Sequence, residues 1–105
     1  MLRIYDVALE MAGDAADFAR VIALRDSDLA RQLRRAATSV ALNLAEGAGL
    51  WGGNRRQRYN TALGSAREVL ACMQLGFAMG YCGGIEVEVK ARLDRIIGTL
   101  VRICR

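Results

Sequence analysis

The sequence has no proline and no histidine, 6% aromatic residues, and three cysteines in 105 residues. Without proline, nothing interrupts a helix by deleting an amide donor and clashing with the preceding turn. Together with abundant Ala, Leu, Arg and Glu, that absence predicts long uninterrupted helices. Without histidine there can be no Ser/His or Cys/His catalytic arrangement. Cys72, Cys82 and Cys104 are odd in number and show no CxxC spacing. Neither a disulfide framework nor a metal centre is expected, and reduced thiols suit a cytoplasmic protein. A GxxxxGK phosphate loop is also missing, and Gly47-Ala48-Gly49 reads as a turn rather than a dinucleotide fingerprint. The expectation is a protein without catalytic residues or cofactor.

Long hydrophobic runs are scarce too. The longest uncharged stretch, between Glu68 and Glu86, contains Gln74 and four glycines, so it reads as a buried helix plus a turn and not as a membrane span. The opening MLRIYDVALE has acids where a secretory leader would have its apolar centre. With 53% apolar and 25% charged residues, residues 1–105 are expected to form one soluble domain with a single core.

Acids are nearly absent from the middle third. Residues 29–67 hold seven arginines and one acid, Glu46, a balance of +6, whereas the rest of the chain carries −2 and the whole +4. A polyanion, if there is one, belongs with this segment.

Hydrophobic periodicity predicts four helices. The first runs from about Arg3 to Leu24 with Ile4, Val7, Ala8, Met11, Ala15, Phe18 and Ile22 inward, and Gly13 costs it about 1 kcal/mol relative to Ala. Arg25-Asp26-Ser27-Asp28 supplies an N-cap for the second, which covers about Asp28 to Gly47 with Leu29, Leu33, Ala36, Ala37, Val40 and Leu44 inward. After a glycine-rich turn, Asn54 is the expected cap of the third, with Gln57 at capping-box spacing. That helix extends to about Met79 with Tyr59, Ala62, Leu63, Ala66, Val69, Leu70, Met73 and Phe77 inward. The fourth spans about Ile85 to Ile103, showing Val89, Leu93, Ile96, Ile97, Leu100 and Cys104 on one face. Short connections make neighbours antiparallel, so the fold class is all-α, an up-down-up-down four-helix bundle.

Polar residues Gln32, Arg35, Ser39, Asn43 and Glu46 line up beside the apolar face of the second helix. If the turn is centred near Trp51, facing residues of the second and third helices have numbers totalling about 102. Glu46 then meets Arg55 or Arg56, Arg34 or Arg35 meets Glu68, and Ser39 and Asn43 sit near Tyr59 and Leu63. Ser39, Asn43, Glu46 and Glu68 are read as an interhelical polar network that sets register. Arg55, Arg56 and Arg58 stand in the first turn of the third helix, where the dipole disfavours cations, so they either remain solvated or await phosphates. Arg31, Arg34 and Arg35 form a second basic cluster about 30 Å away at the other end. These six arginines are the candidate nucleic-acid contacts. Leu42, opposite Leu33, and the turn pair Leu50-Trp51 are candidate subunit contacts, with Trp51 folding back over the bundle end as the alternative.

The stretch from Gln32 to Gly47, QLRRAATSVALNLAEG, with RYNTALGSARE at 58–68, resembles the proteins encoded in intervening sequences of 23S ribosomal RNA genes. Accessory proteins of diversity-generating retroelements are similar. The resemblance implies a small antiparallel bundle assembled as a homopentamer. In the retroelement relatives it implies a basic ring that binds nucleic acid and a reverse transcriptase. Carried over by position, Arg34, Arg35, Asn43, Glu46 and Glu68 are the family-like polar residues, and none is implied to be catalytic. Two functions stand open: a non-enzymatic homo-oligomeric accessory protein that binds RNA or DNA, or a protein–protein assembly module whose arginines are paired internally.

Overall fold

The structure, a computed structural model, describes residues 3–105, so Met1 and Leu2 of the expected domain lie outside the described residues. Four helices follow one another: α1, Arg3–Ile22; α2, Ser27–Gly47; α3, Gly52–Ala78; α4, Val87–Cys104. Each packs on its two neighbours in an antiparallel bundle, with α2–α3 the most extensive pair. α1 and α3 also touch across the diagonal, whereas α2 and α4 do not. The molecule measures 42 × 25 × 20 Å. No helix among the described residues is long and apolar enough to cross a membrane.

The core is the set of positions that period 3.6 selects. Met11, Ile22, Leu33, Val40, Leu44, Val69, Met73, Leu93, Ile96 and Leu100 are fully enclosed, and no charged or polar residue is buried among the described residues. One inward assignment is corrected: Phe77 is 58% exposed while Cys72 and Gly76 face inward. Phe18, Leu70, Ile97 and Cys104 are partly buried and pack against the core. The reason at Gly76 is space: a Cβ there would stand 2.9 Å from Cδ1 of Ile22, so α1 ends against the bare backbone of α3.

Helix ends explain the boundaries. The Asp26 carboxylate accepts a hydrogen bond from the amide of Leu29 at 2.9 Å, which caps α2. α3 closes on Gly80 (φ 77°), with the Tyr81 amide donating to the Gly76 carbonyl and the Gly80 amide to that of Phe77. This is the Schellman arrangement that stops a helix with a left-handed glycine. Asn54 is not the cap of α3. The helix begins two residues earlier, Trp51 holds the cap position in extended conformation, and no side chain bonds the first amides. Ile85 and Glu86 precede α4 rather than opening it, and Glu86 stays extended.

One ion pair fastens α1 to α4. Arg92 donates from Nε to Oδ2 of Asp14 at 2.6 Å and from Nη2 to Oδ1 at 2.8 Å, and these side chains are only 28% and 13% exposed. The hydrogen bond to Asp14, foremost, holds the guanidinium more firmly charged than an isolated one.

Two measurements check this packing. A Cβ on Gly47 would lie 2.5 Å from Cε1 of Tyr59, whereas one on Gly13 would meet nothing within 4 Å. Gly47→Ala therefore lowers stability by about 1–3 kcal/mol through overpacking, and Gly13→Ala raises it by about 0.5–1 kcal/mol through backbone entropy. Opposite shifts of the thermal midpoint are expected by circular dichroism. Asp14→Ala leaves Arg92 without its partner and lowers the midpoint by several degrees more than Asp17→Ala, because Asp17 pairs with Arg20 in full solvent.

Candidate nucleic-acid interface

The register of α2 against α3 positions everything at the basic hairpin. Ser39 Oγ and Ser65 Oγ share a hydrogen bond of 2.7 Å, and Arg58 Nη1 lies 3.0 Å from Glu46 Oε2. Both pairs have residue numbers totalling 104, two more than the turn-centred expectation. Gly47 is thus level with residue 57, and the first residues of α3 run beyond the end of α2 by about 7 Å.

This offset corrects three expected contacts. Glu46 pairs with Arg58, not with Arg55 or Arg56. Ser39 meets Ser65 rather than Tyr59 or Leu63, and Asn43 turns back along its own helix, its Nδ2 donating to the Ser39 carbonyl at 2.9 Å and to Oγ at 3.1 Å. Arg34 and Arg35 form no ion pair with Glu68 within 4.0 Å. Arg35, Glu68, Gln32, Ser39, Ser65 and Ala36 instead line an open cleft of about 330 Å³ between α2 and α3. Arg34 points to the other flank of α2, beside Ala12 and Ala16 of α1. Ser65, which periodicity alone could not single out, is the partner that completes the polar network.

Arg55 is held by carbonyls rather than carboxylates. Its Nε donates to the Gly47 carbonyl at 3.2 Å and its Nη2 to the Ala48 carbonyl at 3.4 Å, so it caps the C-terminal end of α2. Its Cζ also lies 5.8 Å from the centroid of the Trp51 ring. A hairpin brings the negative end of one helix dipole beside the positive end of the next, so cations in the first turn of α3 are stabilised by the last turn of α2. The electrostatic conflict read from α3 alone is thereby resolved for Arg55, and Glu46 resolves it for Arg58. Arg56 has neither partner and is exposed.

Trp51 does not fold back over the bundle. It is 83% exposed, while Leu50 beside it is half-buried. Leu42 is 56% exposed on the outer face of α2. Arg31 pairs with Asp28 at 2.6 Å on the surface. Arg31, Arg34 and Arg35 lie in the first half of α2, whereas Arg55, Arg56 and Arg58 lie in the first seven residues of α3, past the other end of α2.

The antiparallel course adds cations that a tally along the chain conceals. α1 starts and α4 ends at the same end as the α2–α3 hairpin, so Arg3, Arg102 and Arg105 join Arg55, Arg56 and Arg58 there. Arg3 and Arg95 line one groove with Ile4 and Thr99. The acids at this end are Asp6 and Glu46, the latter already paired. The remaining chemistry is quiet. Burial, with a smaller contribution from Glu68, pushes the Cys72 thiol up, and burial pushes up that of Cys82, so both are neutral near pH 7.

The model of the family described as 23S rRNA-intervening sequence protein matches residues 1–102. No curated protein matches the chain. The fold is similar to the crystal structure of a protein of unknown function from the S23 ribosomal protein family of Bacteroides thetaiotaomicron VPI-5482. The TM-score is 0.82 at 20% identity, over 97% of this chain and 98% of that one. The four-helix architecture and a family match that runs through both motifs agree: the chain belongs to the 23S rRNA-intervening sequence protein family.

Proposed function

We propose that this protein is a non-enzymatic, self-assembling accessory protein of the cytoplasm that binds RNA or DNA through its arginine-bearing hairpin end. The family resemblance favours a homopentamer, and a reverse transcriptase is a candidate protein partner. The observation that carries the reading is the end of the bundle where the hairpin turns. Arg56 projects there without a carboxylate, beside amides of α3 that no side chain caps, and Arg3, Arg102 and Arg105 share that end. Uncapped amides and unpaired guanidinium groups are complementary to phosphate oxygens. Contacts of this kind go to phosphate oxygens, so binding rests on charge and is steeply salt-dependent.

The second reading, an assembly module with internally satisfied arginines, draws support from Arg31, Arg55 and Arg58, each engaged within the chain. At the opposite end Leu24, Phe77, Met79 and Val87 are exposed, an apolar group suited to a protein partner.

Arg56, Arg102 and Arg105 separate the two readings, because changing them leaves the hairpin bonds of Arg55 and Arg58 intact. The triple charge reversal Arg56→Glu, Arg102→Glu, Arg105→Glu is expected to weaken retention of a labelled oligonucleotide at least tenfold at low salt and to flatten the dependence of log affinity on log salt by about one unit per lost contact. Light scattering on the same samples gives the mass. An unchanged titration, with the wild-type protein a discrete oligomer that ignores nucleic acid, would favour the assembly module.

A further inference from the structure

We propose that Trp51 is a stacking platform for an unpaired nucleobase, so that the hairpin end takes single-stranded in preference to duplex nucleic acid. The proposal rests on the polyanion-binding reading above and specifies which form of polyanion the site accepts.

Trp51 stands at the N-cap of α3 with φ −128° and ψ 155°, beyond the last residue of α2, and 83% of it is exposed. An indole left in solvent at the tip of a bundle forgoes a large apolar burial that Leu50, one residue earlier, partly takes. The ring is nonetheless not left to wander. The Arg55 guanidinium lies over one face at 5.8 Å, and Arg55 is itself tied to the carbonyls of Gly47 and Ala48. A tethered cation thus stands within reach of the ring, which at 83% exposure keeps most of its surface open to a ligand. Stacking on an aromatic ring flanked by arginine is the sequence-tolerant way in which proteins hold single strands.

The surroundings choose the occupant. The first turn of α3 carries no acid and no side-chain cap, and Arg56 follows about 7.5 Å along the axis, free of any carboxylate. An apolar segment of a protein partner would bring nothing to satisfy these charges. A nucleotide brings both groups at once, a flat base for the ring and a phosphate for Arg56 and the amides. A base within a duplex has both faces covered by its neighbours and reaches the ring only after unstacking. Gly52, with φ 52° and nothing within 4 Å of a built Cβ, and Gly53, with equally open space, leave the approach to the ring clear.

Trp51 is the sole tryptophan of the chain, so its emission reports on this site alone. The full-length protein is titrated at low salt with an unstructured oligoadenylate and with a duplex of equal length, reading tryptophan emission and the anisotropy of labelled strands in parallel. Saturable quenching by the single strand and little by the duplex are expected. Trp51→Ala loses roughly tenfold in single-strand affinity without changing the salt slope, and Trp51→Phe recovers most of it. Wild-type affinity in Trp51→Ala, or bound strand without quenching, overturns the stacking platform and leaves polyanion binding standing. Failure of both strands to bind removes the reading on which it rests. A lower mass of Trp51→Ala in light scattering, with strand affinity kept, assigns the ring to a second copy of the chain and also overturns the proposal.

Discussion

Close approach of α2 to α3 is the constraint on which the rest of the molecule depends. Small residues make it possible: Ala36 on one helix, Ala62 and Ala66 on the other, with Gly47 lying under the Tyr59 ring where a Cβ would clash. Interhelical distance follows the size of the side chains between the axes, so this pair packs more tightly than leucine-lined neighbours would. Tight packing converts a modest polar pair, Ser39 with Ser65, into a register pin, because at that distance a slip by one residue would bring a larger side chain onto an alanine. α1 and α4 then complete the core from the outside, clamped to each other by Arg92 and Asp14.

That register also governs the electrostatics of the hairpin. A cationic first turn is unfavourable for an isolated helix, and α3 has three arginines within its first seven residues. Because α3 overhangs α2, Arg55 reaches back onto the carbonyl end of α2 and Arg58 reaches Glu46, while Arg56 points away from both. Two of the three cations are therefore structural, and their charge is partly consumed in holding the turn. The third, with Arg3, Arg102 and Arg105, gives that end its outward field. Distinguishing structural from available cations matters more for function than the net charge of +4.

Much of this was legible beforehand, and the failures have a common cause. Four helices, most of their inward residues and an N-cap within residues 25–28 follow from periodicity and capping chemistry, which act within a helix. Register does not, because it is set between helices. Counting from the centre of the glycine turn placed Glu46 two residues short of its partner, since Gly52 and Gly53 enter the helix instead of lengthening the turn. Residue type makes Asn54 a cap, yet the helix starts before it. Hydrophobicity alone places Phe77 in the core, yet its helix is turned so that Gly76 meets Ile22. The basic end is hidden in the sequence because its members come from residues 3, 55–58 and 102–105, which only the antiparallel course brings together.

The bundle has two chemically different ends, and that bears on what assembly could achieve. One end gathers guanidinium groups and an exposed indole, whereas the other exposes Leu24, Phe77, Met79 and Val87. In a closed cyclic oligomer every protomer has the same orientation relative to the symmetry axis. If the bundle axes run even partly along that axis, all hairpin ends face one side and all apolar ends the other. Single arginines that would each hold one phosphate weakly then become a continuous ring, in which affinity rises by effective concentration without any new contact. A protomer with its basic residues spread evenly over the surface would gain much less. A gathering of unpaired cations at the hairpin end would therefore let the self-assembly and polyanion binding proposed above reinforce one another.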